Sequence, residues 1–398
     1  MIQEKLIAEI ADDQIRYIIY QQNTESEYKI LKKKISTNTG IKKGEILDFD
    51  YTAKKINEDV KNIEKESNKI FKNISIIVNE PKILCTNFTG IKKLNGSKVE
   101  KRDLDYILNE AKSSVAKDQR KNSILHILNS NFILDKTKQT KIPLNLQGDQ
   151  LGLHMTFISF PTNSLKNITA LFNNSDMKIE RFVSKPFACG IDLLNKNSDL
   201  KNFVIINFDK EMSSVSLYED CSLVFLRTFP FGTNSIYRDI IQLCSLKENE
   251  ARTIIDQLNL HAVTEEKINF LEKKFFTESK FKRLSINHLK DIVEARINEM
   301  TNHIFNKNKN LHYLNEEILN IYLFFEDVSI LKNKNLCDSF EKSLKISSPG
   351  IQTESLPLND FDALSGAAEL IFKGWHKEAI PLSHRKKSII SSFFERFF

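Results

Sequence analysis

The sequence predicts an α/β fold built from two related halves. Three observations carry this: a β-rich meander at the N-terminus, a second meander near the middle of the chain, and helical periodicity following each. Leu6–Ile10 and Ile15–Tyr20 read as strands around the turn Ala11-Asp12-Asp13-Gln14, and residues 27–34 as a third strand. A loop from Gly40 to Asp48 leads into a helix over residues 51–68, with Ile56, Val60 and Ile63 at helical spacing. Ile74–Val78 is a strand. Residues 79–160 mix short strands with one amphipathic helix near 103–116, and residues 164–173 form another helix. Phe203–Phe208, Val215–Tyr218 and Ser222–Phe229 are three β-rich runs joined by tight turns. Helices follow over residues 234–243, 248–258 and 285–304, then an apolar strand, Ile321–Phe325. A helix over 361–372 carries Ala363, Gly366, Ala367 and Ala368, small residues that predict close packing. No repeat of about 20–50 residues signals a solenoid or propeller. The alternation of meander and helices points to an actin-like core.

Composition narrows the function classes. The chain has 398 residues, 41% hydrophobic and 28% charged, which is ordinary globular composition. Its net charge is +6, with 47 Lys against 11 Arg, and only 11 Gly and 8 Pro. No stripe of arginine with aromatics accompanies that charge, so a nucleic-acid partner is not expected. Cys85, Cys189, Cys221, Cys244 and Cys337 are odd in number, far apart and without CxxC, which argues against a disulfide framework or zinc site. The histidines show no ligand spacing. No h-region opens the chain, and no apolar run reaches the ~18 residues of a membrane span. Any membrane contact is therefore expected to be peripheral.

The last residues stand apart. Ser383-His384-Arg385-Lys386-Lys387-Ser388 precede a stretch that splits cleanly on a helical wheel. Ile389, Ile390, Phe393, Phe394, Phe397 and Phe398 fall on one half, and Ser388, Ser391, Ser392, Glu395 and Arg396 on the other. This pattern predicts a short amphipathic helix with a basic entry segment, suited to an anionic headgroup boundary. Burying one such apolar side chain gives roughly 1.5–3 kcal/mol, and six give on the order of 10 kcal/mol gross. Arg385, Lys386 and Lys387 add about 1 kcal/mol each near an anionic surface. The alternative is that the helix docks on the protein's own body or on a partner.

With these features in view, the chain resembles the bacterial cell-division family FtsA. Gly40-Ile41-Lys42-Lys43-Gly44-Glu45-Ile46-Leu47-Asp48 is similar to that family's G-x-x-K-G-x-(I/V)-x-D segment. Ile124-Leu125-His126-Ile127 resembles its L-H-(V/I)-(I/L) strand, and Pro143-Leu144-Asn145-Leu146-Gln147-Gly148 its P-x-G-L-x-G turn. The run from Pro230 to Ile240 resembles P-x-G-G-x-x-(I/V)-T-x-D-I, and Val293-Glu294-Ala295-Arg296 resembles I-E-P-R. The resemblance implies an actin-like, ribonuclease H-like bilobal fold with an inserted small α+β subdomain and a C-terminal amphipathic helix. It places the first actin-like half at 1–78 and 161–190, the insert at 79–160, the second half at 191–380, and the linker and membrane helix at 381–398. It also implies head-to-tail homopolymers and a pocket for the C-terminal peptide of the tubulin-like FtsZ. Arg283, Glu294 and Arg296 fall in or near the helix that contributes to that pocket, although a solvated helix face accounts for them equally well.

The phosphate-binding turns depart from the family. Its second turn reads V-D-I-G-G-G-T-T-D, and the match here is Ile206-Asn207-Phe208-Asp209-Lys210-Glu211-Met212-Ser213-Ser214. Asp209, Lys210 and Glu211 replace three glycines whose N–H groups approach phosphate, and Asn207 replaces the metal-facing Asp. The first turn, G-T-T-K in the family, is Ala11-Asp12-Asp13-Gln14, which sets two carboxylates where phosphates would sit. The adenosine motif L-T-G-G appears as Leu323-Phe324-Phe325-Glu326; Gly232 survives in its own segment. No cofactor is expected; ATP with Mg²⁺ would bind only if this degenerate site still functions. Asn234 and Asp239 read as capping and turn residues, Lys42 and Lys43 as surface charges, and Trp375 as a core residue. The expected function is a non-enzymatic adaptor that anchors FtsZ filaments to the inner face of the cytoplasmic membrane. An active ATPase of the same superfamily and a PilM-like pilus or secretion adaptor are the rivals. The first is disfavoured by the turns, the second by the aromatic C-terminus.

Overall fold

The structure, a computed structural model, describes residues 3–22, 28–139, 141–257, 270–311, 320–346 and 350–381. Contacts divide the chain into two compact units: Met1–Lys201 with Ser216–Arg227 and Asp360–Phe398, and Asn202–Val215 with Thr228–Asn359. Residues 360–381 thus lie with the first unit, whereas the sequence-based partition runs the second half to residue 380.

The first unit opens with β1 (Gln3–Ala11), β2 (Gln14–Gln22) and β3 (Tyr28–Thr37), an antiparallel meander with Ile7 opposite Ile18. A small ribbon of β4 (Ile41–Lys42) and β5 (Glu45–Ile46) leads to α1 (Phe49–Ser67). Asp48 caps α1, its Oδ1 accepting from the Tyr51 N–H at 3.0 Å, and Asn68 closes it in the left-handed region. β6 (Asn73–Val78) then pairs parallel with β1.

The insert follows: β7 (Leu84–Lys93), α2 (Lys101–Asp118), β8 (Asn122–Leu134), β9 (Thr137–Gln139) and β10 (Gln150–Pro161). β8 and β10 have 13 and 12 residues, longer than the short strands the sequence suggests. Ile107 and Ala111 of α2 join Leu153, Met155 and Phe157 of β10 in a core of their own. Gly90 makes room for this packing, because a Cβ there would stand 2.2 Å from the Ile107 side chain. The chain returns through α3 (Thr162–Asn173), β11 (Lys178–Ser184), parallel to β6, and α4 (Lys185–Lys196). The sheet order is β11-β6-β1-β2-β3.

The second sheet is built from β12 (Phe203–Phe208), β13 (Ser213–Glu219), β14 (Ser222–Phe229), β15 (Asn320–Phe325) and β16 (Gln352–Pro357). Its order is β14-β13-β12-β15-β16, with β15 parallel to both β12 and β16. Every residue of β12 is buried, as its unbroken apolar run requires of a central strand. Helices α5 (Asn234–Leu243), α6 (Glu248–Gln257), α7 (Ile286–Thr301), α8 (Val328–Lys332) and α9 (Lys334–Ser343) belong to the second unit. The helix expected over 285–304 stops at Thr301 and passes into a π-turn, Asn302–Asn306.

Counting strands in order within each half, both sheets run 3-2-1-4-5, the duplication that two related meanders predict. The chain ends its described part with α10 (Asp362–Lys373) and β17 (Glu378–Pro381), both in the first unit. α10 packs on α4 so closely that a Cβ on Gly366 would stand 1.9 Å from the Ala188 carbonyl oxygen, as its small residues predict. Trp375 is not a core residue: it is half-buried just beyond Gly374, its ring tilted over His376 at 4.7 Å.

Candidate functional site: two self-satisfied turns and a helical cleft

In the first unit, β1 and β2 meet at Asp12 and Asp13, and Asp13 turns the chain with φ of 51°. Instead of standing free to repel an anion, both carboxylates accept backbone hydrogen bonds from the neighbouring loop. Asp12 Oδ1 accepts from the Lys43 N–H at 2.6 Å, and Asp13 Oδ1 accepts from the Thr39 N–H at 3.0 Å. The Asp13 N–H donates to the Ile41 carbonyl at 2.8 Å. Gly44 permits this loop, with φ of 77° and the Asn79 carbonyl oxygen only 2.3 Å from where a Cβ would be. Ala11 is buried, and Gln14 pairs with Ala11 across the hairpin and with Thr37 on β3. Lys42 is exposed, whereas Lys43 is half-buried.

In the second unit, the turn after β12 is closed by its own chain. The Lys210 N–H donates to Glu326 Oε2 at 3.0 Å, and the Glu326 N–H donates to the Phe208 carbonyl at 3.1 Å. The N-terminus of α5 faces the same turn: the Thr233 N–H donates to the Asp209 carbonyl at 3.0 Å, and the Asn234 N–H to the Lys210 carbonyl at 2.8 Å. A helix N-terminus and a turn amide are both suited to an anion, and here each has an internal acceptor. Glu211, buried, holds Asn234 Nδ2 and Arg238 Nη1, each at 2.9 Å. Asn207 donates to Ser214 Oγ at 3.2 Å, and Asp209 is buried. Gly232 lies under the turn; a Cβ would come within 2.2 Å of the Asp209 carbonyl oxygen. Phe325 is a core ring, stacked on Phe208 at 5.0 Å and edge-on to Phe340. These donors and acceptors do not fit a nucleotide phosphate.

Asn234 and Asp239 are not caps. Thr233 occupies the N-cap of α5, and the Asn234 side chain serves Glu211. Asp239 forms a two-pronged pair with Arg296, Oδ1 accepting from Nη2 at 2.8 Å and Oδ2 from Nε at 2.5 Å. Arg283, Glu294 and Arg296 do not form one constellation. Arg283 is exposed, its guanidinium 3.9 Å from the centre of the Phe270 ring. Glu294 and Arg296, two residues apart on α7, point to different sides of the helix. Glu294 lines a cleft of about 310 Å³ between α7 and α9 with Asn298, Asn335, Asp338 and Lys342. That cleft depends on α9, which the sequence reading missed. The amphipathic segment, Arg385–Lys387 with Ile389, Ile390, Phe393, Phe394, Phe397 and Phe398, lies outside the described residues. No described helix is long and apolar enough to cross a membrane.

A model of the SHS2 domain inserted in FtsA matches residues 81–159, the stretch built from β7, α2, β8, β9 and β10. Cell division protein FtsA of Buchnera aphidicola subsp. Schizaphis graminum is 22% identical over 315 residues, 78% of this chain and 72% of that one. This chain is FtsA-like. FtsA of Borreliella burgdorferi is 21% identical over 248 residues (62% and 60% of the two chains), and FtsA of Agrobacterium fabrum 23% over 215 (54% and 48%). The match thus spans from about half to nearly three quarters of those FtsA proteins' own length. Among solved structures, the PilM-PilN type IV pilus biogenesis complex superposes with a TM-score of 0.57 at 10% identity, over 91% of this chain and 90% of that one. Ethanolamine utilization protein EutJ from Carboxydothermus hydrogenoformans gives 0.50 at 9% identity, over 92% and 89%. These likenesses speak for the fold. The duplicated sheet order with an inserted SHS2 domain is the actin-like fold that the FtsA resemblance implies.

Proposed function

We propose that this FtsA-like chain is a cell-division adaptor that anchors FtsZ filaments to the inner face of the cytoplasmic membrane without hydrolysing ATP. The relationship to FtsA supports a cell-division function of the FtsA kind. The observation that carries the finer reading is the pairing of an anion-closed turn, Lys210 N–H with Glu326, with a C-terminal segment that splits into aromatic and polar faces. In this reading residues 79–160 are the inserted subdomain, and 381–398 the linker and membrane helix. The FtsZ peptide would sit against α7, where the cleft beside Glu294 presents charges of both signs, Glu294 and Asp338 with Lys342. Self-association into filaments would multiply weak individual membrane contacts through avidity.

Co-sedimentation with anionic liposomes tests this. The full chain and a version ending at Leu382 are compared, with and without ATP and Mg²⁺. Pelleting of the full chain alone, unaltered by ATP, is the expected result. Equal behaviour of the two versions removes the membrane anchor, and a sharp effect of ATP removes the nucleotide-independent mechanism.

A further inference from the structure

We propose that Glu378 is a latch: it fixes the place where the C-terminal segment leaves the protein. The inference rests on reading residues 382–398 as the membrane element, but the latch itself consists of described residues. Three side chains from separate strands meet in the interior: His126 of β8, Arg181 of β11 and Glu378 of β17, with relative exposures of 0%, 4% and 1%. The Ser184 N–H donates to His126 Nε2 at 3.1 Å, which leaves the ring proton on Nδ1; that N–H donates to Glu378 Oε1 at 2.9 Å. Arg181 donates to the same carboxylate oxygen. Burial alone would push the Glu378 carboxyl up, but Arg181 and His126 outweigh it and hold the group below its ordinary range.

β17 has four residues and stands at the edge of the insert's sheet, in the order β17-β8-β10-β7. It pairs with β8, Glu378 opposite Leu128, and the Asn129 N–H donates to the Lys377 carbonyl at 2.7 Å. Ala379 enters the apolar core of the insert. A buried carboxylate shared by Arg181 and the neutral His126 adds a second hold to the short ladder, since Arg181 without it would be an uncompensated buried charge.

The consequence is geometric. From Pro381 to Ile389 the eight steps of chain reach at most about 30 Å. Released back to Gly374, the tether has fifteen steps and reaches about 50 Å. Glu378 is therefore a positioning residue. It makes the edge of the inserted subdomain, rather than the end of α10, the point from which the membrane segment departs, and it sets the stand-off distance.

Amide hydrogen exchange of the full chain tests this, in solution and on phosphatidylglycerol-containing vesicles, for wild type, Glu378→Gln and Glu378→Ala. In wild type the amides of β17 and of Asn129 stay protected in both conditions. In Glu378→Ala they exchange at least tenfold faster, with β1 and β12 unchanged and pelleting retained; Glu378→Gln falls between. Rapid exchange of β17 in wild type on vesicles overturns the latch, as does unaltered protection in Glu378→Ala. If Glu378→Ala does not fold, the comparison of Glu378→Gln with wild type decides: unaltered protection of β17 in Glu378→Gln overturns the latch. Failure of wild type to pellet removes the membrane reading, while protection of β17 in solution still judges the latch.

Discussion

Asp239 of α5 and Arg296 of α7 hold each other through two parallel hydrogen bonds, at 2.5 and 2.8 Å, across 57 residues of sequence. Both side chains are partly exposed, 20% and 26%, so the pair contributes modestly: Arg296→Met should cost about 1 kcal/mol in urea unfolding. Glu294→Lys, by contrast, should leave the midpoint within about 0.5 kcal/mol of wild type. If an FtsZ C-terminal peptide uses the α7–α9 cleft, fluorescence anisotropy should detect a change in its binding with Glu294→Lys. An Arg296 variant with normal stability would show that the pair adds nothing measurable to folding.

Gly232→Ala places a methyl group 2.2 Å from the Asp209 carbonyl oxygen and 2.6 Å from that of Lys210. Backbone must move, so a loss of about 2–4 kcal/mol is expected. A urea midpoint unaffected by this change would mean that the turn is not packed on Gly232.

Glu326→Ala leaves the Lys210 N–H without its acceptor and should cost about 1–2 kcal/mol. Wild type should show no melting shift with millimolar Mg²⁺-ATP. A ligand present at 100 times its Kd adds about 2.7 kcal/mol, which differential scanning fluorimetry detects easily. A rise of several degrees in wild type would show that the turn opens to nucleotide.

Glu250 supplies a pH test. It accepts from the Lys247, Glu278 and Ser279 N–H groups and from the Ser279 hydroxyl, between 2.6 and 2.8 Å. Burial would raise its pKa, but these donors outweigh burial and bring it from the ordinary 4.5 to about 2. The folded value lies below the unfolded one, so the contribution is complete above pH 4.5 and is lost as pH falls from there toward 2. Glu250→Gln should therefore flatten the loss of urea stability between pH 5 and about 3. Identical slopes for the two proteins would contradict the hydrogen-bonded carboxylate.

Much of the fold was legible where apolar residues run in clean patterns. Phe203–Phe208, Ser222–Phe229 and Asn234–Leu243 have the bounds that the sequence suggests. α4 escaped because Pro186 and Gly190 read as breakers within a short segment, although the helix is buried from Lys185 to Leu194. β16, Gln-Thr-Glu-Ser-Leu-Pro, is polar and is a strand only by its ladder to β15. The departures from the family's phosphate-turn motifs could be read residue by residue. The contacts that fill those turns could not, because Lys210 and Glu326 meet across 116 residues. Likewise Asp12 and Asp13 looked like repulsive charges until the loop they hold was in place.

The Lys210–Glu326 contact also bears on how such a protein could be governed. An acceptor carried on the same chain has no bulk concentration and no depletion; its local molarity is set by covalent attachment. Under the nucleotide-independent function proposed above, a turn filled in this way does not follow the adenylate pool or the energy charge of the cell. In that reading control falls to quantities that act from outside the turn: how many copies are made, how crowded they are on a surface, and which partner meets them there.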